Sequence, residues 1–197
     1  MTESGHEAHV EHRGEATLYR TPREAMEAPP EKLAYIALLD PDAIAVVDVD
    51  PASASYGSMV GRWDPPPQDA PDEFHHYGWN ICSSALGGDH DHDGAMERRY
   101  LVVPGIRSSR IYVLDTGVDP RRPTLVRTIE PEEVMGRGHY SRPHTVHCGP
   151  EGLLVSALGS GSAEGATTAR PASSRWTTPF QRHWSVGDRS RQPVLRV

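Results

Sequence analysis

Two short apolar runs stand close together near the start of this chain. They are Leu33-Ala-Tyr-Ile-Ala-Leu-Leu39 and, after Asp40-Pro41-Asp42, Ala43-Ile-Ala-Val-Val-Asp-Val49. Apolar runs of this length that are bounded by Asp and Pro are typical of β-strands. The pattern therefore predicts two neighbouring antiparallel strands.

Runs of the same kind recur along the chain. They predict further strands at Ser58–Trp63, Tyr100–Pro104, Arg110–Asp115, Thr124–Ile129, Arg142–His147 and Gly152–Ala157. The 18 glycines and 18 prolines interrupt the sequence so often that long helices have little room. The segment Thr21–Ala28 has a threonine that can cap a helix, a proline directly after it and Pro29-Pro30 at its end, so it predicts a short helix.

Two of these strands share a motif. In Ala45-Val-Val-Asp-Val-Asp-Pro51 and in Tyr112-Val-Leu-Asp-Thr-Gly-Val-Asp-Pro120, an apolar strand ends in Asp and is followed by a turn and a proline. The recurrence indicates an internal repeat. Repeated short-stranded units with Asp or Gly turns fit a β-propeller, whereas a β-sandwich would explain the strands equally well but not the repeat.

Composition limits the partners that we expect. The net charge of −7, without a cluster of basic residues, disfavours nucleic acid and anionic membranes as partners. No apolar run is long enough for a signal core or a membrane-spanning helix, so the cytoplasm is the expected compartment. The two cysteines, Cys82 and Cys148, are not in a C-x-x-C motif and are predicted to be reduced thiols, with a disulfide between them as the alternative.

Histidine and cysteine are concentrated in two clusters. These are His75-His76-Tyr-Gly-Trp-Asn-Ile-Cys82-Ser-Ser84 and His144-Thr-Val-His147-Cys148. Imidazole and thiolate are the groups that hold copper or zinc in proteins. Adjacent residues of a strand face opposite sides, and so do residues three apart, so each pair can share a metal only where the backbone bends or bulges. We therefore expect a site on loop-like backbone at strand ends.

Several segments, in this order, resemble the selenium-binding protein family, whose enzymatic members are methanethiol oxidases. Besides the two clusters they are Thr21-Pro22-Arg-Glu-Ala-Met26, Val47-Asp-Val-Asp-Pro51, Ser108-Ser-Arg-Ile-Tyr-Val-Leu-Asp115, Ile129-Glu-Pro131 and Ser156-Ala-Leu-Gly159. The resemblance implies an all-β fold in which this chain forms the N-terminal blades of a β-propeller, an incomplete ring, with a short N-terminal helix. We expect a disordered polar tail at 1–18, the partial propeller at 19–165, and a disordered tail outside the resemblance at 166–197, as a frameshift would produce.

The resemblance also implies a chemistry. Its oxidase members convert methanethiol, dioxygen and water to formaldehyde, hydrogen sulfide and hydrogen peroxide at a copper centre. Copper can change oxidation state in such a reaction and zinc cannot. Carried over to this chain, the resemblance assigns the copper ligands to His75, His76, His144 and His147, and it assigns thiol handling to Cys82 and Cys148.

Two alternatives remain open at this point, a non-catalytic selenium- or metal-binding protein and an inactive fragment. The expected partner is a small thiol, and the sequence does not indicate an oligomeric state. Selenium binding is a further expectation from the resemblance, although the place of the selenium-linked cysteine of some family members corresponds here to Tyr56-Gly57, which offers no thiol.

Overall fold

The computed structural model describes residues 22–68, 70–81, 98–149, 152–160 and 172–176. Strands dominate these residues, in three separate antiparallel sheets, and the two helices are short. The prediction of an all-β chain with a short N-terminal helix is therefore confirmed. Among the residues described, neither helix is long and apolar enough to cross a membrane. The tail predicted at 1–18 lies outside the described residues.

The first sheet contains the two runs near the start of the chain. Helix α1 (Pro22–Glu27) is followed by β1 (Leu33–Leu39), β2 (Asp42–Asp48) and β3 (Met59–Trp63), which lie side by side in that order. Strands β1 and β2 are antiparallel, with Leu33 opposite Asp48. The predicted pair of neighbouring strands is thus confirmed.

The second and third sheets follow along the chain. The second has the order β4 (Gly78–Trp79), β5 (Tyr100–Pro104), β6 (Ile111–Asp115) and β7 (Thr124–Ile129). After α2 (Pro131–Gly138), the third contains β8 (Tyr140–Gly149), β9 (Gly152–Ser160) and β10 (Ala172–Trp176), with β9 in the middle.

Three elements differ from the sequence prediction. Helix α2 was not predicted, although it has ordinary start signals in Pro131 and in the acidic Glu132 and Glu133 of its first turn. Strand β4 is two residues long, too short to show a pattern. Strand β10 lies inside the segment predicted to be disordered, because residues 172–176 pair with β9. The rest of 166–197 lies outside the described residues, so the prediction of a disordered tail stays a prediction.

The two central strands of the second sheet, β5 and β6, are buried on both faces. In β6, Tyr112 and Leu114 pack against the first sheet, while Ile111 and Val113 pack against the third. This alternation follows from the two-residue period of a strand. The second sheet therefore lies between the other two.

The repeat noticed in the sequence is also present in the strand pairing. In both the β2–β3 and the β6–β7 pairs the register shifts between the two residues that precede the terminal Asp, Asp48 or Asp115. The extra residue is Val60 in β3 and Val126 in β7. The first two sheets therefore share the same β-bulge at corresponding positions of their strands.

The aspartates of the two motifs shape the turns that follow. Oδ1 of Asp48 accepts the backbone N–H of Asp50 at 2.9 Å, and Oδ1 of Asp115 accepts that of Gly117 at 2.7 Å. The second aspartate of each motif, Asp50 or Asp119, likewise accepts the N–H two residues on. A side chain that bonds the backbone two residues later is an Asx-turn. At the end of each strand the motif thus places a side-chain oxygen that accepts a backbone N–H of the turn.

Asp115 is also held by an ion pair. Its two oxygens accept hydrogen bonds from Nε and a terminal nitrogen of Arg99 at 2.7 and 2.6 Å. These bonds, with the N–H of Gly117, lower the pKa of Asp115. The Asp115 side chain is 9% exposed, so the carboxylate is largely removed from water, while the Arg99 side chain is 33% exposed.

We predict that Asp115→Asn lowers the free energy of unfolding by about 2 kcal/mol at neutral pH. The charge-assisted hydrogen bonds from Arg99 are lost, while the amide oxygen can still accept the N–H of Gly117 in the Asx-turn. A pKa that is lower in the folded state stabilises the fold above the unfolded pKa of about 3.9, and this stabilisation is lost as the pH falls through the folded value. The difference between the two proteins should therefore shrink in acid. Urea denaturation at neutral and acid pH measures it.

The control for this variant is Asp119→Asn. Asp119 pairs with Arg122 at 3.9 Å on an exposed surface, where ion pairs contribute little. Equal losses in the two variants would contradict the prediction, as would a loss for Asp115→Asn that does not change with pH.

Candidate metal centre

Three histidines from two distant segments meet in this structure. Each of His75, His76 and His144 offers one ring nitrogen, and these atoms lie within 4.8 Å of one another. The ring centroids of His76 and His144 are 4.0 Å apart, and Nε2 of His75 lies 2.9 Å from Nε2 of His144. We call these residues the histidine trio.

The backbone around His75 and His76 is fixed on both sides. Phe74 is fully buried, with its ring 6.1 Å from that of Trp63 and 5.6 Å from that of Tyr112. On the other side the hydroxyl of Tyr77 donates to a backbone carbonyl of β1 at 2.7 Å. The histidine pair crosses the gap between these anchors outside any regular strand, so the adjacent rings can converge.

A buried carboxylate anchors the same segment. Asp72 accepts the backbone N–H groups of Arg107 and Ser108 and the hydroxyl of Ser108. The approach is so close that a Cβ on Gly105 would lie 2.0 Å from an Asp72 oxygen. The loop between β5 and β6 is thereby held against the segment that carries the histidines.

His144 lies in a bulge of β8. Between Pro143 and Val146 the register with β9 shifts by one residue, so His144 and Thr145 together stand opposite Ser156. The backbone N–H of Thr145 donates to the Ser156 hydroxyl at 3.0 Å. A bulge changes the direction in which a side chain points. In β8 the bulge lies at the residue, His144, that contacts His75 beside the second sheet.

The outer nitrogens of two rings have partners of their own. Nδ1 of His75 lies 3.1 Å from a carboxylate oxygen of Glu73, and Nδ1 of His144 lies 2.8 Å from the hydroxyl of Thr145. Such partners orient a metal-binding imidazole. Sequence reasoning missed both residues, although each stands within two positions of a candidate ligand.

Electrostatics favour the metal-binding form of two rings. Burial and then the neighbouring His75 lower the pKa of His76. Burial and then His76 and His75 lower the pKa of His144, against the opposing effect of Glu73. Neutral imidazole is the form that binds a metal. Burial and, after it, the neighbouring rings therefore both favour the neutral form of these two histidines.

The fourth predicted ligand does not join the trio. Val146 is buried in the core between the second and third sheets, so strand alternation turns the next residue, His147, the other way, where it is exposed. Among the described residues the group that could hold a metal is the trio alone. Cys82 and the side chain of Cys148 lie outside the described residues, so their roles stay predictions.

Trp79 of β4 and Asn80 directly after it make contacts that hold this part of the chain. Oδ1 of Asn80 accepts the backbone N–H groups of Arg99 and Tyr100 at 3.0 and 2.9 Å. The ring of Trp79 packs edge-on against Tyr35, with the centroids 5.3 Å apart.

The sequence matches a known family. A family model described as 56kDa selenium binding protein (SBP56) matches residues 12–186, a wider span than the resemblance over 19–165. Selenium-binding protein 3 of Arabidopsis thaliana is 44% identical over 158 residues, which is 75% of this chain and 32% of that protein. Methanethiol oxidase of Mus musculus is 42% identical over 149 residues, 72% of this chain and 30% of that enzyme.

A solved structure shows the same likeness. The X-ray structure of a hypothetical selenium-binding protein from Sulfolobus tokodaii superimposes with a TM-score of 0.71 at 43% identity, over 91% of this chain and 37% of that one. The chain thus spans about a third of the length of the curated relatives that it matches. The family model covers most of the chain, and the relatives agree with it. The chain belongs to the selenium-binding protein family.

Proposed function

We propose that this chain supplies the N-terminal blades and the histidine ligands of a copper-dependent methanethiol oxidase. The reaction consumes one methanethiol, one dioxygen and one water, and it yields formaldehyde, hydrogen sulfide and hydrogen peroxide. The observation that carries the proposal is the convergence of the histidine trio at one point. Relatives named methanethiol oxidase, 40–42% identical to this chain, support the choice of reaction.

The propeller part of the proposal rests on the stacking of the sheets. Three antiparallel sheets follow one another along the chain, and strands that are consecutive in sequence are neighbours within each. They pack face to face through two apolar layers, one on each side of the second sheet. Successive stacked sheets of this kind are the blades of a propeller. The trio lies beside β4 and on β8, the first strands of the second and third sheets, where blades meet a central channel.

The residues of the trio suit copper. Imidazole nitrogen is a good ligand for copper, and the outer partners Glu73 and Thr145 hold two of the rings in place. His75, His76 and His144 would hold the ion. Copper, when bound, would supply the change of oxidation state that a reaction between a thiol and dioxygen requires.

The surroundings of the trio suit a small thiol. His75 is exposed and His144 is half-buried, so a molecule the size of methanethiol can reach the rings from solvent. We assign Cys82 and Cys148 to the handling of the thiol and His147 to a role outside the trio. A reducing compartment such as the cytoplasm would keep both cysteines as thiols.

A second candidate function is selenium or metal binding without turnover. It is favoured by the Arabidopsis thaliana relatives named selenium-binding protein, which are 43–44% identical to this chain. Release of peroxide and sulfide from methanethiol that depends on added copper supports the oxidase. Stoichiometric retention of selenium or metal with no such release would favour the second candidate.

We predict that His75→Ala and His144→Ala each weaken copper binding by at least about 100-fold. Removing a group that hydrogen-bonds a metal ligand weakens metal binding by up to about 100-fold, and removing the ligand itself should weaken binding at least as much. Sulfide release from methanethiol should be lost in parallel. His147→Ala is the matched comparison from the same strand and should retain most of the affinity. Competition with a copper chelator measures binding. Loss of binding confined to His147→Ala would reject the trio as the copper site.

We also predict that Gly78→Ala weakens copper binding by roughly 10-fold, because small displacements of a preorganised site are costly. A Cβ at this position would lie 3.0 Å from the carbonyl oxygen of Val146 and 3.1 Å from its Cβ, which forces β4 and β8 apart. His76 precedes Gly78 by two residues, and His144 precedes Val146 by two, so the rings should separate.

The control is Gly136→Ala in α2, where an added Cβ meets no atom within 4 Å. It should leave copper affinity unchanged and stabilise the helix by up to about 1 kcal/mol. Titration of both variants with copper, together with urea denaturation, separates an effect on the site from an effect on folding. Unchanged affinity in Gly78→Ala would contradict the prediction.

A further inference from the structure

The trio is part of a longer line of polar groups. Along this line Glu73 meets Nδ1 of His75 at 3.1 Å, Nε2 of His75 meets Nε2 of His144 at 2.9 Å, and Nδ1 of His144 meets the hydroxyl of Thr145 at 2.8 Å. The first contact is an ion pair, the other two are hydrogen bonds that each need one hydrogen, and a neutral imidazole carries one hydrogen on its two nitrogens. The positions of these hydrogens can therefore be deduced one contact at a time, starting from Glu73.

The Glu73 end is fixed. Its second carboxylate oxygen accepts a hydrogen bond from Nε of Arg107 at 3.2 Å. Arginine is permanently charged and can only donate, whereas a carboxylate can only accept. A lone pair on Nδ1 of His75 would face an anionic oxygen of Glu73 at 3.1 Å, so electrostatic repulsion favours the form with the hydrogen on Nδ1. A neutral His75 is left with a lone pair on Nε2.

The middle contact then fixes His144. Two nitrogen lone pairs cannot face each other at 2.9 Å without a hydrogen or a cation between them. In the metal-free chain Nε2 of His144 therefore carries the hydrogen and donates it to His75. Nδ1 of His144 is then the acceptor, and the Thr145 hydroxyl donates to it.

The two ends differ in what they can do. A hydroxyl can donate or accept, but a carboxylate paired with arginine can only accept. We propose that Glu73, held by Arg107, is a positioning residue that locks His75 in the Nδ1–H tautomer, and that His144 is the ring that changes tautomer when a metal binds.

The change on His144 is balanced. One hydrogen leaves Nε2 for solvent and one is taken up at Nδ1, so the charge of the ring does not change, and the Thr145 hydroxyl turns from donor to acceptor. The metal-bound half of the inference rests on the proposed function. The assignment of His75 concerns the metal-free chain and does not.

The test uses nitrogen NMR of the full chain with labelled histidine, metal-free, well above the ordinary histidine pKa of about 6.5. Long-range nitrogen–hydrogen correlations report the tautomer of each ring, and His75→Gln and His144→Gln assign the signals. We expect Nδ1–H for His75 and Nε2–H for His144. Glu73→Ala should move His75 to a mixture rich in Nε2–H, while Glu73→Gln, which keeps an accepting oxygen, should retain Nδ1–H.

The matched control is Glu130→Ala. Glu130 accepts a hydrogen bond from Nε of Arg110 at 2.8 Å, as Glu73 does from Arg107, and its loss should leave the His75 signals unchanged. Unfolding midpoints of all variants show whether a change is confined to the site. A wild-type His75 with hydrogen on Nε2 would overturn the proposal, as would a Glu73→Ala variant with unaltered His75 signals.

A second measurement addresses the metal. Titration with copper ions should show binding about 10- to 100-fold weaker in Glu73→Ala, as for other outer partners, and near the wild-type value in Glu73→Gln. Zinc, which is diamagnetic, should move His144 to Nδ1–H in the NMR spectrum. A zinc-bound His144 that keeps its hydrogen on Nε2 would overturn the tautomer change. A wild-type chain that binds no copper would overturn the proposed function. The assignment of His75 would still be decided by the NMR spectrum of the metal-free chain.

Discussion

The burial of the central strands of the second sheet, β5 and β6, on both faces is the constraint on which the rest of the structure depends. All five residues of β6, Ile111–Asp115, are buried. Each fully buried aliphatic or aromatic side chain contributes roughly 1.5–3 kcal/mol, and in this structure a sheet on each side supplies that burial for β6. The first and third sheets must therefore stack on the second. The histidine trio lies where the second sheet meets the third.

At the strand ends, the stacking places carboxylates where they are buried, and each of them is hydrogen-bonded. A carboxylate removed from water must be hydrogen-bonded, and Asp48, Asp72 and Asp115 each accept several N–H or O–H groups. Asp48 and Asp115 reverse the chain after corresponding strands of the first two sheets. Asp72 joins the loop after β5 to the segment that carries His75. The groups that close the turns also hold part of the site in place.

The site depends on this scaffold in two different ways. Phe74 fixes one side of the histidine pair in the core, and the bulge of β8 lies at His144. The outer partners are unequal, because Glu73 can only accept a hydrogen bond while Thr145 can also donate one. One ring is thus held in a fixed tautomer and the other can adjust. A metal site with one fixed and one adjustable ligand can be stable without the ion and still accept it.

Local sequence by itself determined most strands and the candidate ligands. Leu33–Leu39, Tyr100–Pro104 and Thr124–Ile129 have the predicted bounds, because an apolar run and its turn residues are local properties. Tertiary structure alone decided which histidines meet. His144 joins His75 and His76 while His147 does not, since the choice depends on a bulge and on stacking between sheets. Glu73 and Thr145 became visible as partners only there, because a hydrogen bond requires atoms in contact, and sequence patterns do not specify which side chains touch.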